Sequence, residues 1–174
     1  MKRLIIFVMT FVFGVITAQT QINKSFPATK NQNISLKFDY PQLIKISTWD
    51  KGEVQVSGTV NINDDENNDA FQIKESKEGN ALIIEGNVSG IDNLPHRITV
   101  NKGNEKLTFK TKEDYLQYCK ANNATFNTMS NGVDINIELE IKVPKSLKTQ
   151  IEAKYGLVEV KNFETTTYGN RSAG

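Results

Sequence analysis

Cysteine, histidine and tryptophan are scarce in this chain of 174 residues, which contains one of each. The single cysteine, Cys119, excludes an intrachain disulfide, so packing has to supply the stability of the fold. The single histidine, His96, excludes a zinc site built from several histidines or cysteines. No Gly-x-Ser-x-Gly motif accompanies His96, which argues against a Ser-His-Asp hydrolase. We therefore interpret His96 as an ordinary loop residue.

An excess of charge of either sign is also absent, since 21 lysines and arginines face 20 aspartates and glutamates. The first 18 residues hold two of the basic residues, Lys2 and Arg3, and none of the acidic ones. Without them the formal charge is −1. Such a balance gives no attraction to nucleic acid or to an anionic membrane surface. We predict no nucleic-acid partner.

The N-terminal residues have the parts of a secretory signal peptide. Lys2 and Arg3 form a positive segment, residues 4–16 are almost all apolar, and the small residue Ala18 precedes a polar one. The apolar stretch is shorter than the roughly 20 residues that a transmembrane helix needs. We predict that residues 1–18 are cleaved and that the mature protein, with no membrane span, reaches the periplasm, the outer surface or the extracellular medium.

Alternation of apolar and polar residues dominates the rest of the sequence and predicts β-strands. The first such runs cover residues 34–40, 44–49 and 54–62. The turn residues 50–53 predict that the second and third runs form a hairpin. Gly58 interrupts the apolar face of the third run, which predicts a bulge or the close approach of another segment.

Two further hairpins have the same pattern. The first joins residues 71–73 to residues 82–84, and the second joins residues 98–100 to residues 107–109. In both, a glycine lies in the turn between two short alternating runs.

One helix is predicted near residues 111–121. Thr111 can cap it, and Asp114 stands three residues later, as in a capping box. We expect this helix to lie on a sheet or on an excursion from one. Cys119 shares the apolar side of the helix with Tyr115, which favours a buried thiol over a catalytic nucleophile.

The longest alternation, residues 133–143, predicts a strand with one buried and one solvated face that Pro144 ends. Glu138 and Glu140 share the solvated face, about 6.6 Å apart at about 3.3 Å per residue. This separation lies between those of retaining and inverting glycosidase carboxylates, so a sugar-cleaving site is one interpretation. We prefer the other, a polar face whose charges discourage edge-to-edge pairing.

The phase of the alternation changes at Gly156, because apolar residues occupy odd positions up to Tyr155 and even positions afterwards. A slip of one residue turns every side chain to the opposite face, so we predict a corner between two sheets at Gly156. The dipeptide recurs as Tyr168-Gly169. We predict that residues 146–174 begin a coiled β-repeat region, which the end of the sequence cuts short.

These patterns predict a mainly β fold in which antiparallel hairpins lead into a β-solenoid or sandwich-like C-terminal part, with one short helix. The predicted organisation is a signal peptide over residues 1–18, a β-rich domain over residues 19–145 and the start of the repeat region over residues 146–174.

Residues 34–155 resemble a known group of proteins. Six passages carry the resemblance, and the last of them ends at Gly156. The passages are residues 36–41 (LKFDYP), 46–51 (ISTWDK), 66–71 (ENNDAF), 111–115 (TKEDY), 140–144 (EIKVP) and 153–156 (AKYG). They resemble uncharacterised exported bacterial proteins of the putative adhesin type, in which repeated strands form a β-solenoid. The resemblance implies an envelope or surface location in a Gram-negative bacterium. Because the name adhesin is a fold-level label, it implies little about the ligand.

Residues 63–69 offer carboxylate and amide oxygens of the kind that calcium prefers. Counted from Asn61, position six of an EF-hand loop would be Glu66 rather than glycine, and position twelve would be Gln72 rather than glutamate. We therefore prefer a solvated loop between strands and predict no metal.

Aromatic side chains stack on sugar rings where they are exposed. The alternation favours the core for Phe38 and Tyr155. For Trp49 both interpretations stay open, a core position and a ligand-stacking position.

No constellation of residues forces a chemistry, so we predict no catalytic residue and no cofactor. Our first hypothesis is a secreted or envelope-associated, non-enzymatic β protein with an adhesin-like surface-presenting or scaffolding role, whose partner is an envelope or surface protein or a glycan. One alternative is a sugar-acting hydrolase or lyase that uses Glu138 and Glu140. Another is a periplasmic partner of a signalling protein that binds through an exposed strand edge.

Expression of the full sequence in a Gram-negative host should yield an exported product that begins at Gln19, as read by mass spectrometry of its N-terminus. The variant Val8→Asp places a charge in the apolar segment and should keep the chain uncleaved in the cytoplasm. An exported product that still carries Met1 would contradict the prediction.

Overall fold

The structure, a computed structural model, describes residues 20–161 with their side chains and residues 166–171 by their backbone alone. It is mainly β, with 58% strand, and the described residues include one α-helix, α1 (Lys112–Asn122). Two 3-10 turns span Asn68–Ala70 and Ile91–Asn93. The strands are β1 (Thr20–Pro27), β2 (Asn33–Asp39), β3 (Leu43–Trp49), β4 (Glu53–Ile62), β5 (Phe71–Glu78), β6 (Ala81–Val88), β7 (Arg97–Lys102), β8 (Glu105–Phe109), β9 (Met129–Gly132), β10 (Ile135–Pro144), β11 (Thr149–Lys154), β12 (Leu157–Val160) and β13 (Thr166–Arg171).

These strands form three open sheets. Sheet A has the order β1-β4-β10-β3-β12, sheet B has the order β13-β11-β2-β6-β5, and sheet C has the order β8-β7-β9. Sheets A and B contribute to one hydrophobic core and are mixed, with parallel and antiparallel pairs. The mainly β fold with one short helix is therefore confirmed, and its main body is a two-sheet sandwich.

Alternation along the strands builds the core, because every second side chain points between sheets A and B. In β10, buried apolar residues alternate with exposed charged ones, which confirms the predicted two-faced strand. Each fully buried leucine, isoleucine or phenylalanine contributes about 1.5–3 kcal/mol of transfer free energy. The core residues with the largest fully buried side chains are Phe38, Ile34, Leu36, Ile44, Ile62, Leu82, Ile84, Ile137, Leu139, Ile141, Ile151 and Val54.

The predicted hairpin of residues 44–49 and 54–62 is wrong, because β10 lies between β3 and β4. Residues Ser47 and Gln55 both pair with Lys142, the first across a parallel ladder and the second across an antiparallel one. The backbone N–H and C=O groups of β3 and β4 thus bond to β10 rather than to each other. A short polar turn indicates that two strands are near neighbours in sequence, but it does not exclude a third strand between them.

The other two predicted hairpins are confirmed. β5 pairs antiparallel with β6, and β7 pairs antiparallel with β8. The prediction for Gly58 is also confirmed, since it has a φ of 152° and a Cβ there would overlap the carbonyl oxygen of Glu138. Glycine lets β10 approach β4 closely at this point.

Strands of the same direction lie side by side at one flank of the sandwich. In sheet B, β11 lies parallel between β2 and β13, and in sheet A, β12 lies parallel to β3. The chain crosses from sheet B to sheet A at Gly156, which confirms the predicted corner. A Cβ on Gly156 would overlap the carbonyl oxygen of Pro41, because the two connections are stacked. The open, mixed sheets do not confirm a solenoid.

The core position predicted for Tyr155 is wrong, since its side chain is 58% exposed. Its ring stacks on that of Tyr40, with centroids 5.0 Å apart. Both residues have a left-handed φ, which removes their side chains from the alternation of the strands they follow. The second Tyr-Gly pair lies inside β13, where Tyr168 is opposite Ile151, rather than at a corner.

Residues 97–132, here called the appendage, form sheet C and α1 between β6 and β10. The helix is confirmed together with its capping box, in which Thr111 Oγ1 accepts from the Asp114 backbone N–H and the Asp114 carboxylate accepts from the Thr111 N–H. Asn123 ends it in a left-handed conformation. The aromatic rings between α1 and sheet C are Phe109, Tyr115, Tyr118 and Phe126.

Ion pairs attach the appendage to the sandwich. Arg97 is only 5% exposed, and its guanidinium lies 2.5 Å from Glu66. Lys110 binds the other carboxylate oxygen of Glu66, and Lys106 binds Asp134. A bidentate carboxylate between two cations fixes the appendage more firmly than a single exposed pair can.

The Glu66 carboxylate gives this attachment a pH dependence. A hydrogen bond from Lys110 and the charges of Lys110 and Arg97 lower the pKa of Glu66 below its usual 4.5. Because the pKa of Glu66 is lower in the folded protein than in the unfolded chain, the ionised carboxylate stabilises the fold at pH values above the unfolded pKa. This stabilisation is lost as the pH falls through the folded pKa. Glu66→Gln should therefore lower the urea midpoint near neutral pH, and its deficit should shrink as the pH is lowered past 4.5.

The matched control is Glu85→Gln, which breaks an exposed pair with Lys37 and should change the midpoint little at any pH. A Glu66→Gln deficit that stays constant down to pH 2 would contradict the assigned role of the carboxylate.

Candidate functional site

Three connections meet at one end of the sandwich and line an open cleft of about 300 Å³. They are residues 28–30 after β1, residues 50–52 between β3 and β4, and residues 145–147 after β10. We call this region the Trp49 end, after the aromatic residue in its wall. The remaining apolar lining comes from Ala28, Pro144 and Leu147.

Trp49 is held in a defined position. It is the last residue of β3 and half-buried. Its indole N–H donates to the Glu53 carbonyl oxygen on β4 at 2.7 Å, so the side chain reaches across the strand that separates β3 from β4. Its own carbonyl oxygen accepts from the Lys145 N–H at 3.0 Å. Hydrogen bonds at both the ring N–H and the backbone carbonyl of Trp49 make this wall of the cleft rigid.

Two ammonium groups lie over this ring. Lys51 Nζ is 4.7 Å from the ring centroid, and Lys142 Nζ is 5.7 Å from it. Both distances fall within the range of cation–π attraction. The open interpretation of Trp49 is thus resolved in favour of a half-buried position at the surface, where lysines contact the ring.

Positive charge exceeds negative charge around the cleft. Lys145 pairs with Asp50 at 3.1 Å, and the Lys51 ammonium lies 4.0 Å from Glu53. Lys30, by contrast, forms no ion pair with any of the described side chains. The same holds for Lys142, whose ammonium lies over the indole ring. The cleft lining thus contains three lysines, Lys30, Lys51 and Lys145, and one carboxylate, Asp50. Lys142 adds a fourth ammonium group beside the cleft, over the Trp49 ring.

Glu138 and Glu140 lie on the outer face of sheet A, away from the Trp49 end. Both are exposed, and they line a shallow groove of about 170 Å³ together with Lys45 and Thr59. In the sheet, Glu138 is opposite Thr59 on β4, and Glu140 is opposite Lys45 on β3. On one strand face the two carboxylates point in the same direction, whereas a glycosidase places them on either side of the bond it cleaves.

Residues 63–69 form a loop held by its own amides. Asn63 is fully buried, and its side chain donates to Asn67 and to the Pro95 carbonyl oxygen while it accepts from the Asp134 N–H. Asn68 accepts from the Ile62 N–H at 2.7 Å. The amide oxygens of Asn63, Asn67 and Asn68 thus already accept hydrogen bonds, and the Glu66 carboxylate binds Arg97 and Lys110. No three His, Cys, Asp or Glu side chains in the described part of the chain are grouped to hold a metal ion.

The remaining predicted residues lie apart from the cleft. His96 is exposed on the connection to β7. Cys119 is half-buried rather than buried, and its hydrogen bond with Tyr115 raises the pKa of Tyr115. Phe38 is in the core, as predicted.

The sequence interpretation named Trp49 but missed the lysines that surround it. Lys51 and Lys145 each follow directly on a strand end, at Trp49-Asp50-Lys51 and at Pro144-Lys145. Adjacent strand ends bring such residues together, but only when the strand order is known. The hairpin predicted for β3 and β4 left no place for β10 between them, so it did not bring Lys145 near Lys51.

Over the described residues, no helix is long and apolar enough to cross a membrane. No family model matches the sequence, and no curated protein matches it.

Three solved structures match this chain at low sequence identity. One is a "putative cell adhesion protein" from Clostridium sporogenes, with 12% identity, a TM-score of 0.47 and coverage of 89% of this chain and 58% of that one. A "putative adhesin" from Bacteroides fragilis has 12% identity, a TM-score of 0.33 and coverage of 90% and 54%. A third, a "putative adhesin" from Parabacteroides distasonis, has 13% identity, a TM-score of 0.34 and coverage of 91% and 55%. The chain spans little more than half the length of these proteins.

Proposed function

We propose that the protein is a non-enzymatic β protein, secreted or associated with the cell envelope, that acts by presenting the Trp49 end of its sandwich to a ligand. This is an adhesin-like role of the kind that the sequence resemblance implies. Export of the mature chain through the predicted signal peptide belongs to the same proposal.

The observation that supports it is the construction of the Trp49 end. Rigid sheets carry three short connections, and these place one fixed indole, apolar walls and an excess of lysines around a cleft. Ligand sites in β proteins commonly lie on connections that a stable scaffold positions. Because the indole N–H and the backbone carbonyl of Trp49 are already hydrogen-bonded, binding there costs little ordering of the protein.

The hydrolase alternative has less support. Its two carboxylates are exposed on an open sheet face, where Glu138 lies opposite Leu43 and Thr59, and Glu140 lies opposite Lys45 and Ser57. A glycosidase requires one carboxyl group kept protonated by an apolar or shielded surrounding. Both side chains are instead exposed to solvent.

The test is an adsorption assay on purified mature protein. The protein is mixed with a washed Gram-negative envelope fraction, and bound and free protein are separated by sedimentation across a concentration series. The glycans of the same fraction are sized in parallel. We expect saturable adsorption and unchanged glycan lengths.

Glu138→Gln is the matched variant, and it should adsorb as well as the wild type. Glycan shortening that Glu138→Gln abolishes would overturn the proposal in favour of an enzyme. Failure to adsorb to any envelope fraction would also contradict it.

A further inference from the structure

We infer that the Trp49 end binds a glycan that carries carboxylated sugars. This inference rests on the proposed function and names its ligand class. Two features of this region support it, an aromatic wall and an excess of ammonium groups. They match the apolar C–H face and the carboxylate of a uronic acid residue.

The aromatic half is the indole of Trp49. A pyranose ring presents a face of C–H groups, which packs against an indole as other apolar surface does. The indole ring attracts positively polarised groups, as the positions of Lys51 and Lys142 over it show. The apolar wall continues through Pro144 and Leu147, and the cleft of about 300 Å³ is at the small end of the range for ligand sites.

The charged half is the set of lysines around that ring. A sugar that packs on the indole displaces an ammonium group from that face, and the flexible stems of Lys51 and Lys142 let their ammonium groups reach a carboxylate at the edge of the sugar. Lys142 gains its first anionic partner in this arrangement, because among the described side chains it forms no ion pair. Hydrogen bonds between an ammonium group and a carboxylate are among the strong ones.

The opposite end of the sandwich strengthens the choice of an anionic ligand. There the connections carry Asp64, Asp65, Glu66 and Asp134. The basic residues of the appendage pair with Glu66 and Asp134 and occupy that end. Lys30 and Lys142 at the Trp49 end, by contrast, form no ion pair with any of the described side chains, so that end attracts an anionic ligand.

A glycan fits better than a phosphate polymer. Phosphate recognition typically uses arginine forks or successive backbone N–H groups at a helix start, and the cleft lining contains neither. Lysines act as point charges on flexible stems, which suits carboxylates spaced along a sugar chain. The fixed indole adds a contact that an inorganic polyphosphate cannot use.

The experiment uses the only tryptophan of the chain as its own reporter. Oligogalacturonate of defined length is titrated into the mature protein at low salt, and the intrinsic fluorescence of Trp49 is recorded. We expect a saturable change in emission that weakens steeply as salt is added, because ion pairs carry part of the affinity. Neutral dextran should give no saturable change.

Two double variants separate this site from general attraction to lysines. Lys51→Gln with Lys142→Gln should weaken oligogalacturonate binding by at least about tenfold. The matched control, Lys74→Gln with Lys77→Gln, removes two exposed lysines from β5 and should bind as the wild type does. Trp49→Phe, followed by calorimetry, should also weaken binding, provided that circular dichroism shows the variant folded.

Several results would overturn the inference. They are an absence of oligogalacturonate binding, equal loss in the two double variants, and binding of inorganic polyphosphate or duplex DNA as tight as that of oligogalacturonate. If the protein still adsorbs to envelope in these cases, the proposed function stands and only the ligand class fails. Adsorption that protease treatment of the envelope abolishes would identify a protein partner and equally reject the glycan.

Discussion

The insertion of β10 between β3 and β4 is the constraint on which the rest of the structure depends. This strand bonds to both neighbours along most of its length and buries four apolar side chains in the common core. It also separates Trp49 from Glu53, so the indole has to lie across β10 to reach its acceptor. Lys142 and Lys145 come from the same strand end, and the Trp49 end therefore exists only because β10 occupies this place.

Charge is arranged to serve two different contacts. At one end of the sandwich, acidic connections bind the basic appendage. There the buried Arg97 and the exposed Lys110 both bind the Glu66 carboxylate. At the other end, lysines surround an indole and remain partly unpaired. The near-zero net charge of the sequence thus conceals a separation of sign, which total composition cannot reveal. One end holds the appendage on the sandwich, and we propose that the other binds a ligand.

Local patterns in the sequence predicted much of the fold and little of the site. Alternation located β2, β3, β4 and β10 and the face that each buries, and the capping box located α1, because both depend on neighbouring residues. The order of strands in a sheet depends on distant partners, so a turn such as residues 50–52 suggested a hairpin that the fold does not contain. Tyr155 was misplaced because a left-handed backbone ends the alternation. The lysines of the Trp49 end are ordinary in sequence and become a cluster only through the strand order.

The most direct measurement of the central claim is disulfide formation in a Cys119→Ser background. The pair Ser47→Cys and Lys142→Cys is directly opposed in the parallel ladder of β3 and β10, within the Cα separation that a disulfide accepts. The pair Ser47→Cys and Gln55→Cys lies two strands apart, about 9.6 Å at the usual spacing, which is too far. The account predicts ready oxidation of the first pair and none of the second. If the second variant forms its disulfide efficiently and the cysteines of the first variant stay reduced, β3 and β4 are direct neighbours. That result would remove the basis of the Trp49 end.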